Sequence, residues 1–145
     1  MYRTALVNSL TTPEFVHAIL EWPWTWLIAR FALVAMFLAS VLSKIVKFSG
    51  GVAEMVEAGM PAPVPMAALS VFVELTGSAL VLINSWVWLG AGMLGVFTAI
   101  GAVTTHAFWK MSGRAQKEAI QVFSMHFAVI AALILDALLA ERIDR

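Results

Sequence analysis

Four runs of about 20 apolar residues divide this chain of 145 residues. About 20 mostly apolar residues make a helix that crosses the hydrocarbon core of a bilayer, and a soluble helix of that length would show a polar face. Few residues remain outside the runs, so the sequence predicts an all-α, polytopic membrane protein, a four-transmembrane-helix bundle forming a single membrane domain over 1–145. The predicted spans are about 24–46, 65–83, 86–108 and 119–140.

Composition excludes several other classes of protein. Apolar residues make up 61% of the chain and charged residues 12%, whereas soluble domains carry about 45–50% and about 25%. Nine basic and nine acidic residues give a net charge of zero, which leaves no electrostatic footprint for nucleic acid. The chain has no Cys, which excludes disulfides and thiolate chemistry. The sequence requires no cofactor, shows no nicotinamide or flavin motif, and does not predict an enzyme that acts alone.

Two short helices are expected outside the spans. A hydroxyl cap and a Pro in the first turn precede an apolar face that includes Phe15 and Ile19, so 13–21 is predicted to be an N-terminal helix in the membrane interface. Between the first two spans, the spacing of apolar residues predicts a short amphipathic helix. Gly50 and Gly51 are expected to break the first span before this second helix.

The remaining connections suggest an orientation. Asn84 and Ser85 predict a tight turn, and 109–118 is a polar, basic connection. Basic residues near span ends mark the cytoplasmic side of a membrane protein. Five lie on the side of the first and third connections and two on the side of the termini, which predicts that both termini are outside. The five are Lys44, Lys47, Lys110, Arg114 and Lys117, and the two are Arg142 and Arg145.

Four charged residues fall within the predicted spans, and three of them lie well inside: Arg30, Glu74 and Asp136. A charge at the centre of a membrane helix costs about 2.5–3.5 kcal/mol on insertion scales, so such groups should face inward and find partners. A rise of about 1.5 Å per residue places Arg30 about 9 Å, Glu74 about 13 Å and Asp136 about 6 Å from the terminal side. Arg30 is therefore predicted to form a structural ion pair with Glu74, with Asp136 or with both, and a working site is the alternative.

Arg30 and Glu74 are also candidate ligand-binding residues, and three further ionisable residues join them. Lys44 lies two heptads after Arg30 on the same helix face, and the alternative is that it extends to the interface. His106 lies near a span end, where an interfacial residue and a ligand or proton role are both open. His126 lies about 10 Å deep, closer to Glu74. These ligand types could suit a metal, but no short spacing supports a metal site, and no catalytic residue is identified.

Ordered motifs along 24–140 resemble those of the DoxX family of small four-helix membrane proteins. Val41 and the pair Ala131 and Ala132 stand where the family usually has glycines, which affects close packing. The motifs are Arg30 followed by FLASVLSK (37–44), GMP (59–61), ELTG (74–77), HAFW (106–109) and the segment from Gln121 to His126.

The family includes membrane subunits linked to quinone chemistry, such as those of thiosulfate:quinone oxidoreductase. The resemblance implies an accessory subunit of a redox complex in the bacterial inner membrane, with an intramembrane polar pocket that binds quinone. The partners would be the lipid bilayer and other proteins of such a complex, or further copies of the chain. Two alternatives stay open: a purely structural or assembly subunit, and a homo-oligomeric carrier of small solutes.

Overall fold

The computed structural model describes residues 12–105 and 108–143. Within those ranges the chain forms six α-helices and no strand, which confirms the all-α class. A 3-10 turn, Phe108–Lys110, precedes the last helix. The helices are α1 (Glu14–Glu21), α2 (Thr25–Val46), α3 (Phe48–Glu57), α4 (Pro63–Leu82), α5 (Val87–Thr105) and α6 (Gly113–Ile143).

Four helices, α2, α4, α5 and α6, are long and apolar enough to span a membrane. They pack in the order α2, α4, α5, α6, and the contact that joins α6 back to α2 is much smaller than the others. α3 packs against α2 and α4. The buried core includes Val34 and Phe37 of α2, Val81 of α4, Leu94 of α5 and Leu133 of α6.

Helices α4 and α5 approach each other most closely at two glycines. A Cβ atom on Gly90 would lie 2.8 Å from the carbonyl oxygen of Gly77, and a Cβ on Gly77 would lie 2.7 Å from Cγ of Leu94. Real Cβ atoms do not come this close to such neighbours, so both positions require glycine for the backbones to meet. By contrast, a Cβ on Gly95, one turn further along α5, would meet open space.

The break after the first span differs from the expected one. The helix ends at Val46, and the backbone of Lys47 is not helical (φ −137°, ψ 76°). Gly50 and Gly51 lie inside α3 and do not break the span. Gly51 instead lies against α2, where an added Cβ would be 3.0 Å from Cγ of Lys44. Further on, Gly59 ends α3 with a positive φ of 69°.

The last helix begins earlier than expected. α6 starts at Gly113 and has 31 residues, so the predicted loop 109–118 is wrong for its second half. The polar residues there are good helix formers, and the guanidinium of Arg114 contacts Glu118 one turn later at 2.8 Å. The Gln116 side chain also donates to the carbonyl of Phe108 at 3.3 Å, which ties the first turn of α6 to the 3-10 turn.

Candidate functional site

One stripe of α2 carries both of its charged side chains into the protein. Arg30 is 6% exposed and Lys44 is 4% exposed, with buried Val34, Phe37 and Val41 between them. Fourteen residues of helix separate the two charges by about 21 Å. The stripe therefore places two polar contacts at different levels of the bundle, with apolar core between them.

The deeper contact is an ion pair between Lys44 and Glu74. Nζ of Lys44 donates to Oε1 of Glu74 at 2.7 Å, and the Glu74 side chain is 0% exposed. The same Nζ lies 5.5 Å from the ring centroid of Phe97 on α5. An ammonium over an aromatic face is attracted by the negative face of the ring. Lys44 is thus held by a carboxylate of α4 and a ring of α5.

The α3 helix covers the stem of the Lys44 side chain. Gly51 is buried and lies so close to Lys44 that a Cβ at this position would be 3.0 Å from Cγ of the lysine. This contact is why α3 can fold back over the end of α2. The lysine side chain thus contacts α3 through Cγ and α4 through Nζ.

A cavity of about 900 Å³ lies beside this ion pair. Both Lys44 and Glu74 line it, together with Ser70 and residues of α2, α3, α4 and α5. Val96 and Ile100, which also line it, are 62% and 51% exposed, so the cavity opens on the surface that faces the bilayer. Its volume is within the range of cavities that bind small organic ligands. The other lining side chains are mainly apolar, among them Met55, Met60, Met66, Met93 and Phe97.

Glu74 has spare hydrogen-bonding capacity. Oε2 of Glu74 is buried and has no hydrogen-bond partner within the described ranges, and the same holds for the hydroxyl of Ser78. Unpaired buried polar atoms are uncommon and costly. Lys44 has three N–H donors, of which one is directed to Glu74. The wall of the cavity therefore contains unused donors on Lys44 and an unused acceptor on Glu74.

The second polar contact lies nearer the chain termini. Nε of Arg30 donates to Oδ1 of Asp136 at 2.7 Å, and NH1 of Arg30 donates to the side-chain oxygen of Asn84. The guanidinium also lies 5.0 Å from the ring centroid of Trp26. Asn84 is in the turn between α4 and α5 and has a positive φ of 54°, which Asn tolerates better than most residues. These contacts join three parts of the chain and do not border the cavity.

The charged residues that the sequence singles out form two separate ion pairs. Arg30 contacts Asp136, whereas Glu74 contacts Lys44. The alternative that Lys44 extends to the interface is wrong, because its ammonium is buried. It reaches inward because side chains of a helix tilt toward the helix N-terminus.

The histidines are separate from this cavity where the structure describes them. Nδ1 of His126 lies 2.7 Å from the carbonyl oxygen of Val122 on its own helix, and His126 does not line the cavity. His106 lies outside the described residues. Across 12–105 and 108–143, no group of three or more His, Asp or Glu side chains could hold a metal ion.

Several site residues are not predicted by the sequence. Glu54 and Glu57 of α3 line the cavity, and the four methionines come from three separate parts of the chain. Asn84 looks like a turn residue in the sequence, but it also binds Arg30. A polar side chain opposite a buried charge is visible only after the helices are packed. The amphipathic pattern of α3 could have indicated that its carboxylates lie near the first and second spans.

Comparison with known proteins gives two matches. The family model of DoxX matches residues 25–107. Inner membrane protein YphA of Escherichia coli (strain K12) is 29% identical over 112 residues, which are 77% of this chain and 80% of that protein. No solved structure shows a significant match. The matched range of the family model includes α2, α3, α4 and α5, the helices that line the cavity.

Proposed function

The chain belongs to the DoxX family of membrane proteins, and from that membership we propose that it is an accessory subunit of a membrane redox complex and binds a quinone. The proposed site is the cavity beside Lys44 and Glu74. The single observation that supports it is an ion pair with spare donors and an unpaired acceptor, set in an otherwise mainly apolar cavity of about 900 Å³ that opens toward the bilayer.

A quinone needs both parts of such a site. Its carbonyl oxygens accept hydrogen bonds, and the N–H groups of Lys44 that Glu74 does not use can donate to them. When a quinone is reduced to a quinol it takes up two electrons and two protons, and Oε2 of Glu74 can accept a hydrogen bond from the new hydroxyl. The electrons would come from a redox-active partner subunit and the two protons from water. The apolar lining suits the ring and the start of the isoprenoid tail.

We also propose a location and an orientation. The relative in Escherichia coli is named an inner membrane protein, which supports the same membrane for this chain. The excess of basic residues beside the first and third connections supports termini on the outside. The cavity would then lie nearer the cytoplasmic side, because α3 follows the end of α2 on that side.

A carrier function has less support. The two ion pairs lie at different levels of the bundle, and the core residues Val34, Phe37 and Leu133 belong to one buried apolar cluster. A polar solute that passed from one ion pair to the other would have to cross this packed apolar layer. The arrangement favours a ligand that enters sideways from the bilayer and leaves by the same opening.

Quinone binding can be tested with decylubiquinone as the probe. We expect saturable binding by calorimetry to the purified chain in nanodiscs. Met55→Trp should weaken binding about tenfold or more by filling the cavity, whereas Met125→Trp, the same change on the exposed surface of α6, should leave it unchanged. Absence of saturable binding, or equal effects of the two variants, would contradict the proposed site.

The proposed role as a subunit needs a separate measurement. After mild extraction from the source membrane, native mass spectrometry should find the chain together with a second polypeptide that carries a redox cofactor. Detection of the chain alone, or of copies of itself only, would contradict the accessory role. A stoichiometric partner without a redox centre would favour the structural or assembly alternative.

A further inference from the structure

The cavity beside Lys44 and Glu74 carries an excess of negative charge. Three carboxylates line it, those of Glu54, Glu57 and Glu74, against the single ammonium of Lys44. The formal charge of the lining is therefore minus two. Glu54 and Glu57 are exposed residues of α3, which places them at the mouth of the cavity. Glu74 is buried beside the ammonium of Lys44.

The buried carboxylate is incompletely paired. Lys44 contacts Oε1 of Glu74, but Oε2 has no partner in the described part of the chain although Glu74 is 0% exposed. Burial of a carboxylate oxygen without a partner is unfavourable. A positive group in the cavity would offset this cost by approaching the oxygen that Lys44 does not contact.

The apolar lining is also of a kind that favours cations with an apolar body. Met55, Met60, Met66 and Met93 supply flexible and polarisable thioethers, which adapt to ligands of different shape. Phe97 adds an aromatic face, and it already has one ammonium 5.5 Å from its centroid. An ordinary metal ion would gain little from such a lining, whereas an organic cation could use all of it.

We propose that this cavity binds amphipathic organic cations, in which a positive charge lies next to an apolar body. The apolar body would lie against the methionines and Phe97, and the charge would lie near Glu74 and the two carboxylates of the mouth. This ligand class goes beyond the quinone, which is neutral, and does not depend on it. An anionic head group is disfavoured by the same charges.

Tetraphenylphosphonium is a suitable probe, with triphenylphosphine oxide as a neutral compound of similar shape. In calorimetry on the full chain in nanodiscs, the cation should bind with a measurable Kd and the neutral compound at least about tenfold more weakly. The attraction between a bound cation and the carboxylates at the cavity mouth is large enough to change the Kd about tenfold. Equal binding of the two compounds, or no binding of the cation, would overturn the proposal.

A pair of variants with the same change of net charge sharpens the test. E54Q/E57Q should weaken binding of the cation about tenfold and leave binding of the neutral compound unchanged. E14Q/E21Q removes two exposed carboxylates of α1, away from the cavity, and should change neither. Both variants affect exposed residues, so both should fold, and thermal unfolding checks this directly. Equal effects of the two variants would overturn the proposal, since bulk charge would then explain the binding.

Decylubiquinone measured on the same samples separates the two proposals. If the quinone binds and the phosphonium does not, the cation proposal fails and the proposed function stands. If the phosphonium binds with the expected dependence on Glu54 and Glu57 and the quinone does not, the proposed function fails and the cation site stands.

Discussion

Arg30 and Asp136 join the first and the last membrane-spanning helices through a contact of 2.7 Å. They are 106 residues apart in sequence, and they connect α2 to α6 where these helices otherwise touch little. The side chains are 7% and 13% exposed, so neither charge is solvated by bulk water. This pair closes the bundle on the side where packing is thinnest.

Removal of Arg30 should therefore destabilise the protein strongly. Arg30→Ala leaves Asp136 buried without its partner, and breaking a buried ion pair in this way costs about 3–5 kcal/mol. We expect a clear drop of the Tm in detergent. Arg30→Met/Asp136→Leu should recover most of it, because no buried charge remains. Arg114→Ala, which breaks an exposed pair, should have no measurable effect; a Tm of Arg30→Ala equal to that of the parent protein would contradict a stabilising role.

The Lys44 and Glu74 pair should show strong coupling in a double-mutant cycle. Lys44→Met strands a carboxylate that is 0% exposed, and Glu74→Met strands a buried ammonium. Each single change should lower the free energy of unfolding by about 3–5 kcal/mol, and the double change should be more stable than either. Thermal unfolding of the four proteins in the same detergent measures the coupling. Additive effects of the single changes would show that the two side chains do not stabilise each other.

The glycine contact between α4 and α5 predicts opposite outcomes at two neighbouring positions. Gly90→Ala places a Cβ 2.8 Å from the carbonyl oxygen of Gly77, so the helices must separate and the Tm should fall. Gly95→Ala meets open space, and because Ala favours a helix by about 1 kcal/mol over Gly, its Tm should stay the same or rise. The Tm values of both variants can be measured in one thermal-shift experiment. Equal Tm values for the two variants would argue against close contact at Gly90.

The proposed orientation can be tested with single cysteines, since the chain has none of its own. Ser85→Cys lies in the turn between α4 and α5, on the side of the termini, and Ser112→Cys lies in the connection before α6. Both positions are exposed. A maleimide that does not cross the inner membrane should label Cys at 85 in intact cells and Cys at 112 only after permeabilisation. The reverse pattern would place the termini inside.

Helix positions and the burial of charges could be predicted from the sequence because both follow from local composition. The predicted spans 24–46 and 65–83 differ from α2 and α4 by one or two residues at their ends. The thickness of the bilayer determines how many consecutive apolar residues a spanning helix needs, and such a run can be recognised in the sequence. The shared face of Arg30 and Lys44 likewise follows from helical periodicity, but periodicity does not show that the ammonium of Lys44 is buried.

The partners of the charges and the cavity could not be predicted in the same way. Depth along separate helices cannot decide between Glu74 and Asp136 as the partner of Arg30, because the choice depends on how the helices pack. The inward reach of the Lys44 side chain shifts its ammonium about a turn from the depth of its Cα. The cavity depends on how α3 folds over α2, which in turn depends on the contact of Gly51 with Lys44.

The sequence separation of Arg30 and Asp136 also has a consequence for biosynthesis. Ribosomes add about 5–20 residues per second, so the 106 residues between the two positions take about 5–20 s to be made. Throughout that interval the guanidinium of α2 has no carboxylate from α6 to pair with. Water, lipid head groups or the insertion machinery must solvate it until synthesis of the final helix delivers its partner.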